Sequence, residues 1–199
     1  MTLLSIAQNV AFSVGLTKPD QIIGSTEREH QEMLPFITET CQDMTRRVAW
    51  GELTKSATLT GDGTLKKHSL PVDYDRLSDG ACIISGYGPV RPLSQSEWPV
   101  ITPVEGLPRY FLLQGDTIQF FPYLANQAPL NVSYQSKHFI NGGLSHFGSD
   151  GDTLLIDERL VELGTTARWK RQKGQSYQDF EAEYEAALQQ RAGYDDRSR

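Results

Sequence analysis

Four histidines, His30, His68, His138 and His146, and two cysteines, Cys41 and Cys82, are the side chains here best suited to hold a metal or act as base or nucleophile. A zinc site draws its nitrogen and sulfur ligands from characteristic short spacings. None of these histidines stands at such a spacing from another His or a Cys. Asp150, Asp152 and Asp157 begin like a calcium loop, in which acidic or amide ligands alternate around an internal glycine and end in a glutamate. The alternation fails after Asp152, so turn and helix-cap roles are expected instead. The stretch TGDGTLKK at 60–67 has the glycines and lysines of a phosphate loop, but the glycine spacing and the missing Lys-Ser/Thr pair argue against one. Serine, histidine and aspartate are present without the elbow motif that marks a hydrolase nucleophile. No spacing marks a carboxylate pair acting on cell-wall sugar. The sequence therefore predicts no enzyme, metal or cofactor.

What remains is electrostatic. Residues 168–186 read RWKRQKGQSYQDFEAEYEA, with Arg168, Lys170, Arg171 and Lys173 on one side of Gly174 and Asp179, Glu181, Glu183 and Glu185 on the other. Cations suit the last turn of a helix and anions the first turn of the next, so a helix break at Gly174 explains both blocks. Opposite charges on adjacent segments also suit complementary surfaces on neighbouring subunits. A third reading, a nucleic-acid patch at 168–173, runs against the whole-chain balance: the net charge is −6 and the pI about 5.2, whereas a free-standing DNA binder carries a basic excess.

The chain that positions these residues has 199 residues, 38% hydrophobic and 22% charged, enough to bury a core. Two lone cysteines outside any CxxC motif read as reduced and buried, consistent with assembly in a cytoplasm. The apolar start MTLLSIAQNVAFSVG lacks a basic leader and a cleavage site and is too short to span a bilayer, so it reads as a helix of the mature protein.

Leu3, Ile6, Ala7, Val10 and Val14 form one face of that helix, with Thr2 as cap and Gly15 past its end. Thr26 and Glu29 fit a capping box for a second helix reaching Trp50, which Pro35 either kinks or delays. Extended runs follow: a hairpin around Asp62-Gly63, the strand ACIISG, a second hairpin around Gly115-Asp116, and the strand LNVSYQS. Five prolines lie between Gly86 and Pro108, in a stiffened loop carrying Trp98. Helical spacing returns at Ile156, Leu160, Leu163 and Ala167, with Asp157 near the start and Gly174 as the break. Ser176 and Asp179 suggest a second capping box, for a helix with Tyr177, Phe180, Tyr184 and Leu188 on one face that stops at Gly193. The order predicts an α+β fold, a helical bundle from both chain ends with an inserted small antiparallel β subdomain. The divisions are 1–52 for the first helical pair, 53–148 for the insert with its Pro-rich loop at 86–108, 149–193 for the second pair, and 194–199 for a mobile tail.

Taken in order, AWGEL at 49–53, the LPVDYDRL run at 70–77, GLPRYFLLQGDTIQFFP and the tail LLIDERLVELGTTARWKRQKGQSY…EYEAAL form a pattern. It resembles the head-to-tail adaptor (connector, or neck) proteins of tailed bacteriophages over roughly residues 3–192, with Pro35 as a departure. The resemblance implies a structural virion protein. About a dozen copies would form a ring below the portal, extending the DNA channel and offering the tail an attachment surface. It implies as partners the portal, neighbouring adaptor subunits and tail or nozzle proteins. Genomic DNA would pass without sequence-specific binding, and no membrane is involved. By the same analogy the contact with portal or neighbouring subunit falls on Arg168, Lys170, Arg171, Lys173, Gly174, Tyr177, Phe180, Tyr184 and Tyr194, and a loop contact on Trp98, Val100 and Ile101. The alternatives are another neck or tail-completion protein, hexameric and bound to a tail tube, and after it the nucleic-acid module.

Overall fold

A computed structural model of the chain describes residues 1–64, 67–84, 88–98 and 104–197. Two compact units divide it: residues 1–53 with 138–199, and residues 54–137. The first is helical and the second is built of strands, so the fold is α+β with the β unit inserted between the helical chain ends.

The helical unit has four helices: α1 (Leu3–Val14), α2 (Arg28–Arg47), α3 (Glu158–Gln172) and α4 (Gln178–Arg197). Thr2 caps α1 by accepting the Ser5 N–H, and Gly15 closes it with φ at +76°. The Leu16 N–H turns back to the Ala11 carbonyl, which completes a Schellman motif. Pro35 sits inside a continuous α2. The cap of α2 differs from the expected box: Glu27 takes the N-cap position, and Ser25 rather than Thr26 supplies the oxygen that accepts the Glu27 N–H. Ser25 is drawn there because its hydroxyl also meets the buried His30 ring at 3.0 Å. At the other end of the chain, α4 continues through Gly193 to Arg197. A lone exposed glycine costs a helix only about 1 kcal/mol and need not end it.

The centre of this unit is α3, which packs against all three other helices. Its burial is not confined to one stripe. Leu160, Val161, Leu163, Thr165, Thr166, Ala167 and Trp169 are all buried. Asp157 caps it by accepting the N–H groups of Arg159 and Leu160. Phe139 and Ile140 lie in this same core. For that reason the segment after Lys137, expected as part of the insert to residue 148, falls with the helices.

The β unit holds two four-stranded sheets. The first runs in the order β1 (Thr54–Thr60), β8 (Pro129–Ser136), β3 (Tyr74–Ile84), β4 (Gly88–Pro89). The second runs β2 (His68–Ser69), β7 (Thr117–Phe121), β6 (Tyr110–Gln114), β5 (Arg91–Pro92). All pairs are antiparallel except β5 with β6. Leu130, Val132 and Cys82 of the first sheet share one core with Phe111, Ile118 and Phe120 of the second. The expected turn at Gly115 joins β6 to β7, with Gln114 opposite Thr117. The other expected hairpin does not form. The turn at Asp62-Gly63 exists, with Thr64 N–H on the Asp62 carboxylate at 3.1 Å, but β1 pairs with β8 and β2 with β7. Half-buried Ala57 opposite buried Val132 and half-buried Leu59 opposite buried Leu130 hold β1 in the first sheet, and such apolar cross-strand pairs outweigh a local turn preference. Gly61 threads this corner: a β-carbon there would stand 2.3 Å from the Ala125 carbonyl oxygen.

The Pro-rich segment is partly stranded. β4 and β5 are the edges of the two sheets, where proline is tolerated, and the chain crosses between them at the buried Val90. Gly86, Pro99, Val100, Ile101 and Pro103 lie outside the described residues.

Candidate functional site

The two charge blocks meet at the α3–α4 junction, and its geometry follows from Gly174. Lys173 ends α3, and Gly174 adopts φ +68°, a left-handed conformation that glycine takes without steric cost. Its N–H bonds the Arg171 carbonyl at 3.2 Å and the Gln175 N–H bonds the Lys170 carbonyl at 2.9 Å. These are the two bonds of a Schellman motif, so the break expected from the sequence is a built C-cap. The expected Ser176–Asp179 box is absent. Gln178 folds its side-chain oxygen back onto the Tyr177 N–H at 3.2 Å instead, and α4 starts at Gln178, one residue later than a Ser176 cap would place it.

Most of the basic block is spent within the fold. Arg168 reaches α2, with one guanidinium nitrogen 3.3 Å from the Asp43 carboxylate and another donating to Thr40 Oγ1 at 3.2 Å. Tyr184 donates its hydroxyl to the same Asp43 oxygen at 3.0 Å. Burial first, then the adjacent Asp43 charge, hold that phenol well above its ordinary range. Lys170 lies over the Phe180 ring at 4.9 Å. Arg171 pairs with Glu181 at 3.3 Å. Lys173 covers the Trp169 ring at 4.8 Å and pairs with Glu32 of α2. Arg47 of α2 makes a two-pronged pair with Glu185, and its donated bonds hold the Glu185 carboxyl below the usual range. The α2 partners Glu32, Thr40, Asp43 and Arg47 are the part that sequence reading missed. They lie more than a hundred residues away along the chain, and no local pattern announces them.

The aromatic candidates divide. Tyr184 is buried, Phe180 is half-buried on the inward side of α4, and Tyr177 is half-buried just before that helix begins. Tyr194 lies in the last turns of α4, and Trp98 is half-buried at the end of a short turn in the β unit. Val100 and Ile101 fall outside the described residues. The outward face of α4 carries Asp179, Ala182, Glu183, Ala186 and Gln189, all exposed.

The residues that tempted a chemical reading are structural where described. Asp150 accepts the N–H groups of Ile22 and Ile23 at 3.1 and 2.9 Å, and Asp152 accepts those of Gly148 and Ser149 at 2.8 and 3.0 Å. Among the described residues no three His, Cys, Asp or Glu side chains converge as a metal would require. Burial pushes the Cys41 thiol well up and the Cys82 thiol up to about 12, away from the thiolate a nucleophile needs. No described helix is long and apolar enough to cross a membrane.

The arrangement offers surfaces held by ion pairs, and comparison with known families agrees in kind: the family described as SU10 adaptor protein matches residues 1–199. The chain belongs to the SU10 adaptor family. That membership supports an adaptor role in a phage, as a structural component that meets other head and tail proteins. No match is found among curated proteins. For an SU10 adaptor-family chain, the relevant question at the α3–α4 junction is which face remains for another protein once the internal pairs are made.

Proposed function

We propose that this protein is the head-to-tail adaptor of a phage virion. In this reading about a dozen copies form a closed ring below the portal. The ring extends the DNA channel and gives the tail its attachment surface. The C-terminal segment from Gly174 through α4 to Tyr194 meets the portal or a neighbouring subunit, and the β unit with Trp98 and the Pro-rich segment meets tail or nozzle proteins or neighbouring copies. The observation that carries the reading is the family match along the whole chain. The geometry of α4 supports it: Tyr184 and Leu188 anchor the helix, while its opposite face is exposed and free of large apolar groups.

Charge supports the channel role. The helical unit holds 12 Lys and Arg against 18 Asp and Glu, and the β unit 7 against 7. The whole net charge of −6 therefore belongs to the helical unit. An acidic lining repels phosphate and lets DNA slide without sticking. A ring whose channel-facing residues were mostly basic would contradict that part.

The test is to mix the purified chain with portal rings and follow the product by size analysis and electron microscopy. Rings of adaptor capping the portal are expected. A chain that never binds portal overturns the reading, and six copies seated on a tail tube would replace it with a tail-completion role.

A further inference from the structure

A groove of about 520 Å3 opens in the helical unit between α2 and the segment that carries His146 and Phe147. Leu34, Pro35 and Phe147 give it an apolar floor, and Glu39 stands exposed on its wall. No described residue forms an ion pair with Glu39. Pro35 also brings no N–H to the Gln31 carbonyl one turn earlier, and Gln31 lines the groove as well.

The β unit carries a patch of matching chemistry. The register of β5, β6 and β7 sets Arg91, Tyr110 and Phe121 side by side on one face of the sheet. Arg91 is exposed and Tyr110 is 38% exposed. Neither Arg91 nor the adjacent Arg109 has an ion-pair partner among the described residues. Arginine and tyrosine are the side chains most enriched at the energetic centres of interfaces. Long-range charge favours the same pairing. Two helical units brought together would set −6 against −6, whereas the neutral β unit of one copy can approach the helical unit of another without that repulsion.

We propose that the Arg91–Tyr110 row of one copy seats in the Leu34–Pro35–Glu39 groove of a second copy. The Arg91 guanidinium donates to the Glu39 carboxylate, and the Tyr110 ring lies on Pro35 and Phe147. The two patches differ, so every copy offers one and accepts one. Such a head-to-tail contact propagates from copy to copy and makes a ring where its rotation closes. This contact rests on the ring-forming adaptor reading and gives it a subunit interface.

Charge reversal in the full chain tests it, with association followed by sedimentation alone and by electron microscopy on portal rings. Glu39→Arg and Arg91→Glu are each expected to weaken association about tenfold or more at low salt, and the double variant to recover to within about threefold of wild type. Both side chains are exposed, so unfolding midpoints should match wild type. If one moves, Glu39→Gln and Arg91→Gln carry the same test. Wild type assembling while the single reversals assemble equally well, or a double variant no better than the singles, overturns the contact and leaves the ring standing. Wild type remaining as single copies, alone and with portal rings, overturns both.

Discussion

Gly164 of α3 lies directly against the ring of Tyr184 in α4: a β-carbon at position 164 would stand 2.8 Å from Tyr184 Cε2 and 2.6 Å from Thr40 Cγ2 of α2. The absent side chain is what lets three helices approach at one level. Gly164→Ala gains roughly 1 kcal/mol of helix propensity but overpacks a buried site, at a cost of about 1–3 kcal/mol. A lower urea midpoint is expected. A midpoint above wild type would mean that α4 does not sit this close.

The Asp43 carboxylate holds α4 through Tyr184 and α3 through Arg168. Tyr184→Phe should cost about 1 kcal/mol and Tyr184→Ala about 3–5 kcal/mol, as for other large buried aromatics. Hydrogen exchange is the sharper readout. In Tyr184→Ala the amides of α4 should exchange much faster while those of α3, covered also by α1 and α2, change little. Equal acceleration in both helices would show that α3 and α4 open together.

The basic block makes a divided prediction. Arg168→Ala strips Asp43 and Thr40 of a charged donor and should destabilise by about 1–2 kcal/mol. Lys170→Ala, which loses only a ring contact, should stay within about 0.5 kcal/mol. Neither change should alter DNA affinity at low salt, measured by fluorescence anisotropy. A steeply salt-dependent affinity lost in the triple Arg168, Lys170 and Arg171 to Ala variant would restore the nucleic-acid reading.

The β unit has its own pH sensor in Asp73. Burial works to raise its pKa, but donated bonds from Lys55, Ser136 and Tyr134 outweigh this and hold it at about 2, below the ordinary 3.8. A depressed carboxylate contributes stability that is present above its unfolded pKa and lost as pH falls through the folded one. Urea stability of the β unit should therefore decline between about pH 4 and pH 2, and Asp73→Asn should flatten that decline. An unchanged slope in the variant would assign acid sensitivity elsewhere.

Legibility followed the range of the interactions. Thr2, Gly15, Asp157, Gly115 and Gly174 act within a few residues of themselves, and the sequence alone placed all five. Cap assignment erred where a neighbour competed. Ser25 won over Thr26 because of His30, and Gln178 displaced Ser176. Strand pairing was illegible at Asp62-Gly63 because the partners of β1 and β2 lie some fifty to eighty residues downstream. The all-round burial of α3 was hidden because Thr165 and Thr166 read as polar, yet Thr165 is satisfied by the Thr40 hydroxyl at 3.3 Å. The charge blocks announced themselves, but the α2 residues that neutralise them did not.

The interrupted helical unit sets a schedule for biosynthesis. The β unit is contiguous in the chain and can fold as soon as it leaves the ribosome. α1 and α2 emerge earlier, yet the helix that covers their apolar faces is encoded after the insert. Leu3, Ile6, Met33 and Ile37 must wait through the whole of β-unit synthesis before α3 arrives. A released chain truncated before residue 158 should hold a finished β unit and an uncovered, chaperone-binding helical pair.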